Sequence, residues 1–504
     1  MLFKTFGSAL YGIHATLVTV EVNIDNGAKF YLVGLPDNAV RESQLRLLAA
    51  FRNNGFKMPG KSVVVNMAPA DIRKEGSAYD LTIAIGILAA SGQISCPDLS
   101  DHLIMGEMSL TGELLPIRGA LSIALQARAD GFRKFILPAQ NAAEASIVPG
   151  IDIIGARSLK EVVNHICGKE VVSPLKSDLK ELVHQSESQV EIDFSDVKGQ
   201  EQVKRALEIA AAGGHNVLLI GPPGSGKSML AKRLATILPG MTTDEALETS
   251  RIHSVAGCSG TKSSLVTRRP FRAPHHTISD VALVGGGSNP QPGEISLAHN
   301  GVLFMDELPE FKRSVLEVMR QPLEERTVTV SRVRLTVDYP ASFMLIASMN
   351  PCPCGYYNHP ARDCVCSPVM VQRYLSRISG PLLDRIDLHI EMMKPSRMLK
   401  RQKSEKPENS SAVRKRIVAA RKLQLRRAGI PNAHLGSAGV RQFCALSDKD
   451  RDFLEQAVDL TGLSPRGCHR ILKVSRTIAD LENEEVIRVQ HLAEALSYRG
   501  VDPT

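Results

Sequence analysis

A short glycine-rich segment has the residue types and the spacing of a phosphate-binding loop. An apolar run, residues 217–220, precedes it, and a segment with helical periodicity follows it. In a strand-turn-helix unit of this kind, backbone N–H groups and the helix N-terminus face phosphate oxygens, Lys227 reaches the terminal phosphates, and the Ser228 hydroxyl can hold Mg²⁺. The sequence therefore predicts a nucleotide site made of Gly221, Pro222, Pro223, Gly224, Ser225, Gly226, Lys227 and Ser228.

Two carboxylates and one amide follow at the ends of later apolar runs. Asp306 and Glu307 come directly after the run 301–305, and Asn350 follows the run 343–349. In nucleotide hydrolysis an aspartate can hold the water shell of the metal, and a glutamate can orient or deprotonate the attacking water. Asn350 is a neutral amide that could position the same water. The order of these residues after the phosphate loop predicts ATP hydrolysis with Mg²⁺ held through Ser228 and Asp306.

An arginine further along the chain has the chemistry to complete such a site. Arg385 lies in the segment 381–387, between apolar residues and aspartates. Its cation could stabilise the transition state at the γ-phosphate of a neighbouring subunit. Taken singly, Asn350 and Arg385 are equally well explained as a helix cap and a surface ion pair. Their position after a phosphate loop favours the catalytic interpretation.

Two Cys-x-Cys pairs flank a short loop and predict a zinc site. The four thiolates suit a closed tetrahedral zinc ion, and thiols of a cytosolic protein are not expected to form disulfides. His359 could replace one thiolate, and unligated thiols are the alternative. A metal here would brace the strand before Asn350. The predicted ligands are Cys352, Cys354, Cys364 and Cys366, and the other cysteines are expected to be small buried side chains: Cys96, Cys167, Cys258, Cys444 and Cys468.

The length of 504 residues and the 43% hydrophobic content predict about three domains. We expect an N-terminal domain at 1–167, a polar linker at 168–193, a core at 194–393, and a basic connector with a helical lid at 394–504. Alternating residues predict strands at 17–24 and 62–66, and apolar patterns predict helices at 39–54 and 81–90. The run 394–427 carries 13 Lys or Arg against two Glu. This composition indicates a solvated helix or a disordered insert.

The charge balance favours an anionic partner. The formal net charge is +8, with 61 basic against 53 acidic residues, and the pI is near 9.0. Nucleic acid is a better candidate for this partner than a membrane surface, although the excess is mild. Because no apolar run approaches the ~20 residues of a membrane span and no signal-peptide core is evident, we expect a cytoplasmic protein.

Motifs along nearly the whole chain resemble the YifB/ComM family of magnesium-chelatase-like AAA+ ATPases. The resemblance implies an α/β multidomain protein with a central AAA+ αβα core, β-hairpin inserts and a C-terminal helical lid. It also implies a homo-oligomeric ring, usually a hexamer, in which Arg385 acts in trans. Arg466 resembles the second sensor arginine, with Arg470 as its nearest competitor. The motifs lie at 33–37, 65–71, 74–76, 272–276, 292–299, 350–355, 464–466 and 476–481.

The N-terminal domain resembles the proteolytic domain of Lon, an S5-like α+β fold. Alignment on the shared patterns at 74–76 and 112–117 places the nucleophile position at Ala78 and the lysine position at Leu121. Neither side chain can perform the chemistry, and Ser77 is displaced by one residue. We therefore expect an inactive dyad and a structural or DNA-guiding role for this domain.

Two inserts offer candidate contacts to DNA. The alternating segment 327–337 predicts a β-hairpin with Arg332 and Arg334 near its tip, and related ring motors line their pore with such a hairpin. The segment 268–287 combines cations, one aromatic residue and glycines, and offers Arg272, His275 and His276. The alternatives are that the hairpin arginines pair with acidic residues of the next subunit and that His275 and His276 are interface residues.

Together with the resemblance, which implies a ring and DNA branch migration during natural transformation, the features lead us to expect an ATP-driven motor on DNA, a helicase that promotes branch migration in recombination or transformation. The main alternative is a chelatase-like motor that remodels a protein. Basic inserts favour DNA, because a protein-threading loop usually presents an aromatic-hydrophobic pair. A nucleotide switch without turnover is disfavoured by the presence of both Glu307 and Arg385.

Overall fold

The computed structural model describes residues 2–96, 98–177, 192–258, 265–287, 290–332, 335–359, 362–392 and 408–499. The chain forms two compact units. The first comprises residues 1–186, 242–267 and 290–292, and the second comprises 187–241, 268–289 and 293–504.

The region up to residue 177 contains nine strands and six α-helices among its described residues. The strands are β1 (Leu2–Tyr11), β2 (His14–Asp25), β3 (Phe30–Val33), β4 (Ser62–Ala68), β5 (His102–Ile104), β6 (Glu107–Met108), β7 (Leu114–Leu115), β8 (Lys134–Pro138) and β9 (Asp152–Ala156). The helices are α1 (Asn38–Arg41), α2 (Ser43–Asn53), α3 (Asp80–Ala90), α4 (Ala120–Ala129), α5 (Ala139–Ala145) and α6 (Leu159–Ile166).

Seven of these strands form one mixed sheet in the order β3-β4-β2-β1-β5-β8-β9. The alternating segment 17–24 lies in β2 and buries every second side chain, which confirms the predicted strand. Helix α3 is buried along its whole length, and a Cβ on Gly86 would lie 2.7 Å from Cγ2 of Val22. Helix and sheet therefore pack too closely for a side chain there. The predicted helix 39–54 is divided into α1 and α2 at Glu42.

The described residues from 192 onward contain nine further strands and fourteen α-helices. The strands are β10 (Val217–Ile220), β11 (Phe271–Arg272), β12 (Gly285–Gly286), β13 (Gln291–Pro292), β14 (Val302–Met305), β15 (Thr327–Arg332), β16 (Leu335–Pro340), β17 (Met344–Met349) and β18 (Leu388–Glu391). The helices are α7 (Glu201–Gly213), α8 (Lys227–Ile237), α9 (Thr243–Val255), α10 (Asp280–Val284), α11 (Glu294–Leu297), α12 (Arg313–Val318), α13 (Arg320–Glu325), α14 (Pro368–Leu375), α15 (Gly380–Leu383), α16 (Ser410–Ala428), α17 (Ser437–Phe443), α18 (Asp448–Thr461), α19 (Pro465–Leu481) and α20 (Val489–Ser497).

Helix α9 belongs to the first compact unit, although the sequence assigns residues 194–393 to the core domain. Ser254 near the end of α9 donates a hydrogen bond to Glu144, and its backbone oxygen accepts one from Gly119 N–H at 3.2 Å. Arg251 donates to the backbone oxygen of Ile13 at 2.9 Å. Burial raises the pKa of Glu144. These long-range contacts, which no local pattern encodes, attach α9 to the first unit.

The second unit is built on a five-stranded sheet in the order β11-β14-β17-β10-β18, and every pair is parallel. All residues of β10, β14 and β17 are buried, as expected for strands covered on both faces. The carboxyl ends of parallel strands meet at one edge of the sheet. The residues that follow β10, β14 and β17 are therefore brought together.

The C-terminal region of the second unit is helical from α16 to α20, as the sequence predicts. Helix α16 carries part of the basic run, so of the two predicted alternatives, a solvated helix and a disordered insert, the structure shows a helix for this part. One face is buried through Val413, Ile417 and Ala420, while Leu425 and several basic side chains are exposed. Arg416 pairs with Glu208 at 2.6 Å, and Arg427 pairs with Asp480 at 2.7 Å. Residues 394–407 of the run lie outside the described residues.

Candidate active site

The predicted phosphate loop has the expected local structure. Strand β10 ends at Ile220, α8 begins at Lys227, and Gly226 forms the N-cap with a φ of 92°. Gly224 has a φ of 76°, so both positions are in the left-handed region that favours glycine. A Cβ on Gly221 would lie 2.7 Å from the backbone oxygen of Met392. The loop is therefore a glycine-dependent turn at the start of a helix.

Lys227 points back into this loop and toward the neighbouring strand. Its Nζ donates to the backbone oxygens of Gly221 at 2.7 Å and Pro222 at 3.1 Å, and to Oδ1 of Asn350 at 3.1 Å. Burial lowers the pKa of Lys227, and the charges of Asp306 and Glu307 partly oppose that effect. The ammonium group thus lies between the phosphate loop and the end of β17.

A hydroxyl and a carboxylate meet at the start of α8. Ser228 Oγ donates to Oδ2 of Asp306 at 2.7 Å, and Ser348 donates to the other carboxylate oxygen. The backbone N–H of Glu307 also donates to Asp306 Oδ1, at 3.1 Å. A hydroxyl next to an oriented carboxylate is the donor set that Mg²⁺ uses beside phosphates.

The loop also offers an unused polar atom to a bound phosphate. Ser225 is 3% exposed, and its Oγ has no hydrogen-bond partner among the described residues. A buried hydroxyl without a partner is destabilising, so a ligand oxygen there would stabilise it. Together with Lys227 and the pair Ser228 and Asp306, it fits a nucleotide phosphate with Mg²⁺.

Glu307 lies beside this group and faces a histidine. It is in the left-handed region with a φ of 55°, and its side chain is 58% exposed. His276 Nδ1 is 3.8 Å from Glu307 Oε2, and the His276 ring lies 4.1 Å from that of His275. The structure thus places His276, a predicted DNA contact, against the predicted catalytic carboxylate. Its assignment to DNA remains a prediction.

The predicted trans arginine is buried in its own subunit. Arg385 is 7% exposed, and its Nη2 donates to Oε2 of Glu324 at 2.5 Å. The hydrogen bond from Arg385 lowers the pKa of Glu324, and the charges of Arg466 and Arg470 add to this effect. Arg385, Arg466 and Arg470 therefore act on one carboxylate. Arg470 also donates to Asp387 Oδ1 at 2.6 Å.

The predicted DNA-binding arginines lie on two different elements. Arg272 on β11 makes a bidentate pair with Glu294 of the same chain, with both N–O distances 2.6 Å, and its assignment to DNA remains a prediction. Both residues line an open pocket of about 520 Å³ with His275. The predicted β-hairpin is present as β15 and β16. Arg332 ends β15, but its side chain and all of Arg334 lie outside the described residues.

The four predicted zinc ligands lie together. Their sulfur atoms are all within 4.8 Å of one another, and three pairs are 3.3, 3.5 and 3.7 Å apart. Four sulfurs at ~2.3 Å from a tetrahedral zinc would be about 3.8 Å apart, so the cluster fits that ion. His359 is not part of this group. A hydrogen bond from the backbone N–H of Tyr356 lowers the pKa of Cys354 to about 6, whereas, against opposing backbone hydrogen bonds, burial and the neighbouring cysteines raise the pKa values of Cys364 and Cys366.

The remaining cysteines only partly match the expectation that they are buried. Cys444 is buried, Cys258 is exposed, and Cys96, Cys167 and Cys468 are intermediate. Cys258 lies just after the end of α9, and its side chain is not covered by a hydrophobic core among the described residues.

Several residues of the site had no signal in the sequence. Ser348 holds Asp306 and lies within 3.4 Å of the Glu307 N–H. Gln200 donates to the backbone oxygen of Ser225 at 2.9 Å, and Glu324 pairs with Arg385. These contacts join residues far apart in the chain. Only the position of these residues in the sequence, near predicted strands and helices, could have suggested that they belong to the site.

In the N-terminal unit, Leu121 is fully buried on α4, and Ala78 lies in the short 3-10 helix Ser77–Tyr79. Among the helices of the described residues, none combines the length and the apolar character that crossing a bilayer requires.

Comparison with known proteins identifies similar chains and families. The family described as magnesium chelatase, subunit ChlI, matches residues 193–399, and related ChlI families match 20–141 and 407–499. Competence protein ComM of Haemophilus influenzae is 46% identical over 497 residues, covering 98% of this chain and 97% of that protein. YifB of Escherichia coli is 44% identical over 500 residues, covering 98% and 96%. The magnesium-chelatase 38 kDa subunit of Rhodobacter capsulatus is 28% identical over 174 residues, covering 31% and 50%.

Proposed function

Because the chain belongs to the YifB/ComM family of magnesium-chelatase-like AAA+ ATPases, we propose that it is a ring-forming ATP hydrolase that moves on DNA and promotes branch migration. The observation that carries the hydrolase assignment is the convergence of Lys227, Ser228, Asp306 and Asn350 at one edge of the parallel sheet. This edge is where open α/β sheets bind their ligands.

The phosphate-binding half of the reaction belongs to one subunit. The loop 221–226 and Lys227 hold the phosphates of ATP, while Ser228 and Asp306 hold Mg²⁺. The metal supplies charge neutralisation at the phosphates. Glu307 orients the attacking water and accepts its proton, and Asn350 donates an amide hydrogen bond to that water.

The other half of the site comes from a neighbouring subunit of a homo-oligomeric ring, which we take to be a hexamer. Arg385 pairs with Glu324, and the charges of Arg466 and Arg470 also lower the pKa of that carboxyl, so we treat the three arginines as one cationic group. None of the hydrogen bonds among the described residues joins this group to Lys227 or Asp306. A trans role for the arginines is consistent with both facts, since a γ-phosphate in the next subunit would be their anionic partner.

DNA is the proposed substrate of the motor. The hairpin β15–β16 includes Arg332, and Arg334 follows two residues later in the sequence, outside the described residues. Arginines on a moving hairpin can track phosphates without reading sequence. The N-terminal domain, which resembles the Lon proteolytic domain without its dyad, would guide the DNA. Zn²⁺ in the four-cysteine cluster is the proposed structural metal.

The test is movement of a four-way DNA junction by the purified protein with ATP and Mg²⁺. Lys227→Ala is the variant that loses phosphate binding, and Lys232→Ala is the matched control, because Lys232 is an exposed lysine on the same helix. We expect junction movement with wild type and Lys232→Ala, and none with Lys227→Ala.

Failure to move DNA has a defined meaning if ATP is hydrolysed. An ATPase rate that depends on Lys227 but is unaffected by any DNA would contradict the DNA motor and leave the hydrolase assignment standing. Hydrolysis equal in wild type and Lys227→Ala would contradict the assignment of the phosphate loop itself.

A further inference from the structure

The four-cysteine cluster lies directly against the nucleotide site. Cys352 is fully buried and follows Asn350 by two residues, and Asn350 Oδ1 accepts a hydrogen bond from Lys227. Tyr374 lies on α14, the helix that follows the second cysteine pair. Burial raises the pKa of Tyr374 to about 12, and the nearby backbone N–H of Asn350 partly opposes this effect.

The loop between the cysteine pairs also contacts the phosphate loop. Gly355 has a φ of 84°, and a Cβ added there would lie 2.4 Å from Cδ and 3.0 Å from Cγ of Pro223. The Gly355 N–H donates to the backbone oxygen of Cys352 at 3.0 Å. The backbone of the cysteine loop is therefore packed on the phosphate loop at a position that admits only glycine.

A metal bound by all four thiolates would fix the backbone on both sides of the loop, including the positions of Asn350 and Gly355. Four thiolates on one ion would fix residues 352 and 354 relative to 364 and 366, which lie 10 to 14 positions later in the chain. Among the described residues this segment has little secondary structure of its own before α14. The sulfur cluster joins its two ends, and Arg362 adds a hydrogen bond to the Tyr356 hydroxyl at 2.6 Å.

We propose that the metal-loaded cysteine cluster is a brace for the phosphate loop, so that metal occupancy sets the affinity for ATP. Gly355 is a positioning residue that acts through Pro223, and Cys352 acts through Asn350. The inference rests on the proposed nucleotide site. The inference goes beyond that site, because it makes nucleotide affinity depend on a metal that does not touch the nucleotide.

The experiment measures the Kd of a fluorescent ATP analogue with Mg²⁺ for zinc-loaded, zinc-stripped and zinc-restored protein, alongside zinc content and circular dichroism. We expect about one zinc per chain, and a Kd that rises about tenfold on stripping and recovers on reloading, because a displaced loop loses about one charged hydrogen bond to phosphate. Cys258→Ser is the control, since Cys258 is exposed and lies outside the cluster.

A second variant separates the brace from metal binding and from folding. Gly355→Val keeps all four thiols but forces Pro223 to move, so we expect normal zinc content with a Kd raised severalfold. Gly462→Val is its matched control, because Gly462 also has a positive φ, of 65°, but no atom within 4 Å of an added Cβ. We expect this control to bind the analogue as wild type does.

Each other outcome overturns the brace. An unchanged Kd in folded, zinc-stripped protein would reject it while leaving the ATP site intact. Nucleotide binding by a protein that takes up no zinc would reject the proposal that metal occupancy sets the affinity for ATP. If zinc-loaded protein does not bind the analogue at all, the proposed nucleotide site fails, and the brace fails with it.

Discussion

Glu307 combines three properties that suit a catalytic base. Its carboxylate is exposed, it follows an aspartate that is held by two hydroxyls, and its backbone N–H donates to that aspartate. Asp306 is therefore fixed in place, while Glu307 is free to face a water molecule. The His276 imidazole lies 3.8 Å from the Glu307 carboxylate, and it is a polar neighbour of Glu307 from another part of the chain.

Replacement of this base should separate binding from hydrolysis. We expect Glu307→Gln to bind ATP with a Kd close to that of wild type and to hydrolyse it about 10²–10⁴ times more slowly, because the amide cannot accept the proton. Single-turnover hydrolysis and analogue binding check both parts. Glu310→Gln is the control, because Glu310 pairs with Arg377 instead. Normal turnover by Glu307→Gln would remove Glu307 from its assigned role.

At the scale of the elements, a buried ion cluster joins β10, β18 and the lid. Asp387, just before β18, receives hydrogen bonds from Arg470 on α19 at 2.6 Å and from Asn216 N–H at 3.1 Å, and its carboxylate lies 3.3 Å from His215. Burial alone would raise the pKa of Asp387, but the charge of Arg470 and the contact with His215 hold it well below its usual range.

This cluster predicts a pH-dependent contribution to stability. We expect Asp387→Asn to lower the free energy of unfolding at pH 7 by about 3 kcal/mol, because Arg470 loses its buried partner. A carboxyl with a depressed pKa in the folded state stabilises fully above its unfolded pKa and loses that contribution as pH falls. The difference between wild type and variant should therefore shrink below about pH 4 in denaturant titrations. A difference that is independent of pH would contradict the assigned charge.

Substitutions in the hairpin β15–β16 test the hypothesis of DNA binding most directly. We expect Arg332→Ala and Arg334→Ala each to weaken DNA binding and to reduce the slope of log Kd against log salt by about 1, because one phosphate contact is lost. ATPase activity without DNA should be unchanged. Thr329→Ala, on the same hairpin but bonded to Asp338, is the control. Loss of basal ATPase activity in the arginine variants would indicate an interface role instead.

Local patterns were sufficient for the parts of the site that are contiguous in the chain. The phosphate loop is one strand, one turn and one helix, and the cysteines come in closely spaced pairs, so their spacing carries the prediction. Ser348 and Glu324 could not be predicted, because their partners Asp306 and Arg385 are 42 and 61 positions away. Those contacts depend on the order of the parallel strands and on helix packing. The same reason explains why α9 joins the first unit.

At the scale of the whole molecule, the two halves of the catalytic machinery separate into two groups. Lys227 contacts Asn350 and Ser228 contacts Asp306, which forms the first group. The second group is Arg385, which pairs with Glu324, together with Arg466 and Arg470, whose charges also lower the pKa of Glu324. A head-to-tail ring would bring the second group of one subunit to the first group of the next, since a heterologous interface repeats the same pair of surfaces around the ring. Each complete site would then need two subunits.

Mixing two inactive variants tests this division. We expect Lys227→Ala and Arg385→Ala to lack ATPase activity alone and to recover up to about a quarter of wild-type activity when co-assembled at equal amounts, because one interface in four then pairs an intact Lys227 with an intact Arg385. The ATPase rate of the mixture, measured after subunit exchange, checks this expectation. The double variant mixed with Lys227→Ala is the control, since no interface in that mixture has an intact phosphate loop. If Arg385 acted on its own subunit's nucleotide, the mixture of single variants would stay inactive, because every subunit would carry one defect.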